Sequence, residues 1–95
     1  MKRFEAREIR KAIDYAMQGG QALHIHSINR GHPLFRRYPM IAHLFDQDKQ
    51  RLIATAHRLG VRVIKVGREG EQQQHIDLCG KPFTKAFESC EKTDE

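Results

Sequence analysis

Apolar residues recur in this sequence at two periods, and the switching between them constrains the fold more tightly than any other feature. Over residues 4–17, Phe4, Ile9, Ala12, Ile13, Ala16 and Met17 return at three- and four-residue steps while Arg7, Glu8, Arg10 and Lys11 fill the other side, which predicts an amphipathic helix. Gly19 and Gly20 stop it. Over residues 21–28 the period falls to two. Leu23 and Ile25 alternate with His24 and His26, so a strand there puts both imidazoles on one face. Residues 29–39 hold Asn29, Gly31, Pro33 and Pro39 and read as a long loop, followed by a short apolar segment over 40–45. Asp46 or Asp48 then caps a second helix that runs to Leu59 with Leu52, Ile53, Ala56 and Leu59 inward, and Gly60 closes it.

The run Val61-Arg62-Val63-Ile64-Lys65-Val66 carries the strongest strand signal in the chain, because β-branched side chains suit a pleated surface. Residues 67–74, with two glycines and three consecutive glutamines, read as a loop. A short strand over 75–79 sets Ile76 and Leu78 against His75, Asp77 and Cys79. Gly80-Lys81-Pro82 opens a last helix striped by Phe83, Ala86, Phe87 and Cys90, and residues 91–95 form a frayed tail. Strand, helix and strand in succession favour a parallel crossover. The expected architecture is therefore an α/β fold, a single domain over residues 1–95 with a small, three-stranded, mainly parallel sheet covered by helices and an amino-terminal amphipathic helix within 1–20. A sheet this small leaves edges to protect, so a homodimer is expected.

Composition narrows the setting. No apolar run approaches the roughly 20 residues of a membrane span, and Met1-Lys2-Arg3-Phe4-Glu5 has none of the apolar stretch of a secretory signal, so a cytoplasmic protein with no membrane contact is expected. Cys79 and Cys90 stand alone and are expected as reduced thiols. The net charge of +5 is uneven. Residues 1–40 hold eight Lys/Arg against three acids, whereas residues 41–95 hold nine of each sign. That excess can attract nucleic acid or a phosphate-containing small molecule.

Chemistry concentrates on the histidines. His24 and His26 on one strand face, with His75 and Asp77 on another, could bind zinc or a similar divalent transition metal if the faces meet, because nitrogen and oxygen donors in that number suit it. A reading without metal uses Arg30, His32, Arg36, Arg37 and Arg68 to surround an anion beyond the strand ends, the guanidinium fork pairing with phosphate oxygens. No Gly-rich nucleotide cradle accompanies them. His57 lies among surface-type residues and reads as solvated, whereas His43 precedes the capping acids, near the helix start and the strand ends.

The succession His43-Leu44, Asp46 or Asp48, Leu52, Ala56, Leu59-Gly60, His75-Ile76-Asp77-Leu78 and Lys85-Ala86 resembles the bacterial and phage domain of unknown function 4031 family, over about residues 22–88. The resemblance implies a small α/β domain, of a kind that in places occurs beside HD-type phosphohydrolases, with His43, His75 and Asp77 as its site residues. Two departures stand out. The family's first strand carries an aspartate where this chain has Leu23-His24-Ile25-His26-Ser27, and elsewhere in the family's pattern an aromatic residue stands where this chain has Ile76. The helix over 4–17 is an addition to the pattern. Two functions are thus expected: a module that binds an anionic, phosphate-containing ligand or nucleic acid through the basic loop and the His/Asp/Arg cluster, or a small phosphodiesterase- or phosphatase-like enzyme. In the enzyme His43 and His75 exchange protons while Asp77 orients an imidazole or binds metal.

Overall fold

The structure, a computed structural model, describes residues 1–26 and 41–90. The elements follow in the order β1 (Lys2–Phe4), a 3-10 turn (Ala6–Glu8), α1 (Ile9–Met17), β2 (Gln21–His26), β3 (Ile41–Asp46), α2 (Lys49–Arg58), β4 (His75–Cys79) and α3 (Gly80–Ser89). One four-stranded sheet runs β1-β2-β3-β4. Only β1 and β2 are parallel; the β2/β3 and β3/β4 pairs are antiparallel. The α/β class stands, but the expected three mainly parallel strands are replaced by four mostly antiparallel ones.

Three local causes account for the difference. First, the residues leading into the predicted helix form a strand that takes in Phe4: Lys2–Phe4 pairs with Ala22–His24, and α1 is the crossover that joins the two parallel strands. The Glu8 carboxylate accepts the backbone N–H of Glu5 at 2.9 Å, so the helix begins after these residues. It ends at Gly19, whose φ of 100° suits glycine, and at Gly20, where a Cβ would collide with the Tyr15 ring.

Second, the apolar segment before α2 is the strand β3, with Leu44 and Phe45 buried on opposite faces. Third, residues 61–66 form no strand at all. Val61, Ile64 and Val66 all pack toward the core while Val63 is 83% exposed. A pleated strand would send Val61 and Val63 to one side and Ile64 and Val66 to the other, so packing wins over strand propensity. The segment carries the chain back along the sheet, which is why β4 lies antiparallel to β3 rather than parallel to it.

Helices cover both faces. Leu52, Ala56 and Ala86 from α2 and α3 pack with Leu23, Ile25, Ala42, Leu44, Ile76 and Leu78. On the opposite face Ala12, Ile13 and Ala16 of α1 cover Phe4, Ala22 and Phe45. Asp48 caps α2, its carboxylate accepting the Arg51 N–H at 3.1 Å. Asp46 does something else. It is fully buried and accepts Arg51 Nε and Nη2, each at 2.7 Å, together with Gln21 Nε2 and the Asp48 N–H, each at 2.9 Å, which ties the end of β3 to α2 and β2. Among the described residues no helix is long and apolar enough to cross a membrane.

Candidate functional site

Cross-strand pairing builds a row of imidazoles on the face that carries α1. Paired residues share a face of the sheet, and His24 is registered with His43, which is registered in turn with Asp77; His75 lies opposite Phe45. α1 covers this face over Ala22 and Phe45, next to the histidines. The ring centroids of His26 and His43 are 4.8 Å apart, those of His43 and His75 4.9 Å, and His24 stacks on His43 at 5.8 Å. His43 therefore lies mid-strand in the centre of the row, not near the start of a helix, and the cluster occupies a sheet face rather than a crevice beyond strand ends.

The hydrogen bonds of each ring fix its role. His24 is buried and its Nε2 donates to the Ala6 carbonyl at 2.8 Å, leaving Nδ1 buried without a partner. His75 donates from Nδ1 to the Gln73 carbonyl at 2.7 Å, which turns Nε2 toward Asp77 at 3.4 Å from Oδ1. His43 Nε2 is also 3.4 Å from Asp77 Oδ1, and its Nδ1 is buried and unpartnered.

These surroundings separate the two imidazoles electrostatically. Burial pushes His43 down to about 4, with the neighbouring His75, His26 and His24 acting in the same direction and Asp77 against it. His43 is thus neutral at pH 7. His75 is raised above its ordinary value, chiefly by the Asp77 carboxylate beside it and further by the Gln73 carbonyl, against the effect of burial. Asp77 is lowered, mainly by His75.

Of the expected metal ligands, His75 and Asp77 come together, but with His43 rather than with His24 and His26. One donor atom from each of His43, His75 and Asp77 lies within 4.8 Å of the others. His24 has given one ring nitrogen to a backbone carbonyl, and His26 flanks the trio through its contact with His43. The donor set fits a divalent transition ion. Asp77 Oδ1 stands 3.4 Å from each Nε2, close to the roughly 3.3 Å between donors of a tetrahedral centre with ligands at about 2.0–2.1 Å, while the three donor atoms as a set spread to 4.8 Å, so the two imidazoles would have to close inward on an ion. Direct charged hydrogen bonds are shorter, at about 2.7–2.9 Å. The Gln73 carbonyl behind His75 is the outer partner that ligating histidines commonly have.

The expected anion site is only partly described. Arg30, His32, Arg36 and Arg37 lie outside the described residues. Arg68 sits in the turn after residue 67, with φ at 48° and its Nη1 3.3 Å from Glu71 Oε1. The basic helix is also partly matched by acids, Arg10 lying 3.7 Å from Asp14 and Lys11 3.6 Å from Glu8. His57 is exposed on α2.

Sequence reasoning missed two features of the site. Gly67 exchanges backbone hydrogen bonds with His75, at 2.8 and 3.0 Å, and lies so close to its ring that a Cβ would stand 2.7 Å from Cε1. Lys65 borders a cavity beside Asp77. A glycine directly after a β-prone run was the available signal for the first. Comparisons of the chain with protein families, curated proteins and solved structures return no match, and the resemblance to the domain of unknown function 4031 family rests on its residues alone.

Proposed function

We propose that this protein is a metal-dependent hydrolytic domain in which His43, His75 and Asp77 hold one divalent transition ion of the zinc type. The observation that carries the reading is the position of Asp77 Oδ1, 3.4 Å from both Nε2 atoms while the far side of His75 is anchored by a carbonyl. Two imidazoles and one carboxylate are a donor set that, with three protein ligands, leaves a position open for water or substrate. Such an ion supplies Lewis acidity to an oxygen on that open side. The chain supplies the rest. Gln73 holds the His75 tautomer, burial keeps His43 unprotonated and able to donate its lone pair, and Asp77 offsets the charge of the cation.

The unpartnered Nδ1 atoms of His24 and His43 support a functional origin for the row. Buried polar atoms without partners destabilise a fold, and an apolar pair would fill the same places more favourably. The test is metal uptake by the purified chain after chelator treatment, measured by calorimetry and elemental analysis. One ion per chain is expected, with loss of at least tenfold in affinity for His75→Ala and for Asp77→Asn. Equal uptake by the wild type and both variants sinks the reading.

A further inference from the structure

Pairing on the outer edge of β4 stops after a single bridge, between Gly67 and His75. In an antiparallel ladder the backbone groups of alternate residues point to the same side. His75 exchanges both of its hydrogen bonds with Gly67, whereas Asp46 on β3 is bonded to Gln74, so the N–H of Asp77 points outward like that of His75. Continued from the bridge, the register would set Lys65 opposite Asp77. The two are instead separated by a cavity of about 370 Å³ lined by Val63, Lys65, Gly67, Ile76 and Asp77. It stays open because Val61, Ile64 and Val66 are drawn into the core and hold the 61–66 backbone off the strand.

We propose that this cavity is the pocket for a phosphate monoester, with Lys65 and the Asp77 backbone N–H taking the phosphoryl oxygens beside the ion held by His43, His75 and Asp77. The inference rests on the metal reading and adds a substrate class to it. Charge decides when the pocket is filled. Without the cation the Asp77 carboxylate repels a phosphoryl group; with a divalent ion bound to two neutral imidazoles and one carboxylate, the centre carries a net positive charge and Lys65 adds another. Anion binding is therefore conditional on the metal, and by linkage the anion tightens the metal. The size of the cavity leaves room beyond a phosphoryl group, and Val63, 83% exposed, gives the alcohol portion an apolar contact at its border.

The experiment uses the full chain loaded with cobalt(II), whose visible spectrum reports on its coordination, and phenylphosphonate, which carries the charge and shape of a monoester but has no ester bond to hydrolyse. Phenylphosphonate is expected to bind at least tenfold more tightly to the loaded protein than to the metal-free one and to change the cobalt spectrum. Lys65→Gln should weaken that binding by about tenfold, as for loss of one charge-assisted hydrogen bond, with cobalt affinity kept within twofold. Lys85→Gln on α3 should leave both unchanged. Phenylphosphonate binding that is unaffected by Lys65→Gln, or absent from the loaded protein, overturns the pocket while the metal centre stands. Failure to take up cobalt overturns both.

Discussion

Replacing His43 with leucine is expected to stabilise the metal-free protein while abolishing its response to metal. The His43 side chain is only 21% exposed, its Nδ1 is buried with no partner, and its ring lies 5.6 Å from that of Phe45. A buried polar atom left unsatisfied costs about 1–3 kcal/mol, and leucine replaces it with apolar contact against Phe45. A gain of roughly 1–2 kcal/mol at pH 7.5 is expected, read as a higher urea midpoint at unchanged slope in chelator-treated protein. A ligand present at a hundred times its dissociation constant stabilises by about 2.7 kcal/mol. Zinc at that level should therefore raise the wild type above His43→Leu, reversing their order.

Acid provides a second reading of the same side chain. His43 is held at about 4 in the fold against 6.5 ordinarily, so between these values the unfolded chain takes up the proton more readily. The contribution of the neutral ring is complete above 6.5 and is lost as pH falls toward 4, on the order of 3 kcal/mol in all. His43→Leu should lack that part of the acid slope. A leucine variant clearly less stable than wild type in metal-free buffer at pH 7.5 would refute the reasoning, because His43 Nδ1 would then have to be satisfied.

Three further outcomes are expected. Arg51→Met removes the bidentate partner of the fully buried Asp46 and should lower stability by about 3–5 kcal/mol, most of it restored by adding Asp46→Asn; chemical denaturation of the single and double variants measures this. Gly67→Ala places a Cβ against the His75 ring and should weaken metal binding by about 10–100-fold with the far-ultraviolet circular dichroism unchanged; wild-type affinity in this variant would remove Gly67 from the site. Val63→Ser should change stability by no more than about 0.5 kcal/mol, since that side chain is 83% exposed, and a loss above 1.5 kcal/mol in thermal melts would return residues 61–66 to the sheet.

The faces of β2 and β4 were legible because each has one apolar side and one polar side: Leu23 and Ile25 against His24 and His26, Ile76 and Leu78 against His75 and Asp77. β3 was harder to read. Leu44 meets the α2 and α3 layer while Phe45 meets α1, so both neighbours are apolar and the two-residue period disappears. The sequence pattern consequently sets His43 beside a helix cap, and only the pairing of β3 with β2 and β4 puts it in the middle of the imidazole row. The strand Lys2–Phe4 is short and mostly polar, and only pairing with β2 makes it a strand.

The amino-acid sequence by itself determined the α/β class, a first helix ending at Met17 though not its start, the capped helix α2, and the side of each strand on which His24, His26, His75 and Asp77 stand, because all of these depend on periods and caps within a few residues. Tertiary structure decided which strands are neighbours and in which direction they run. That choice sets His43 against Asp77 and opens the cavity beside Lys65. It was made by competition for the core, in which Val61, Ile64 and Val66 gain more by packing beneath the sheet than their backbone would gain by joining it.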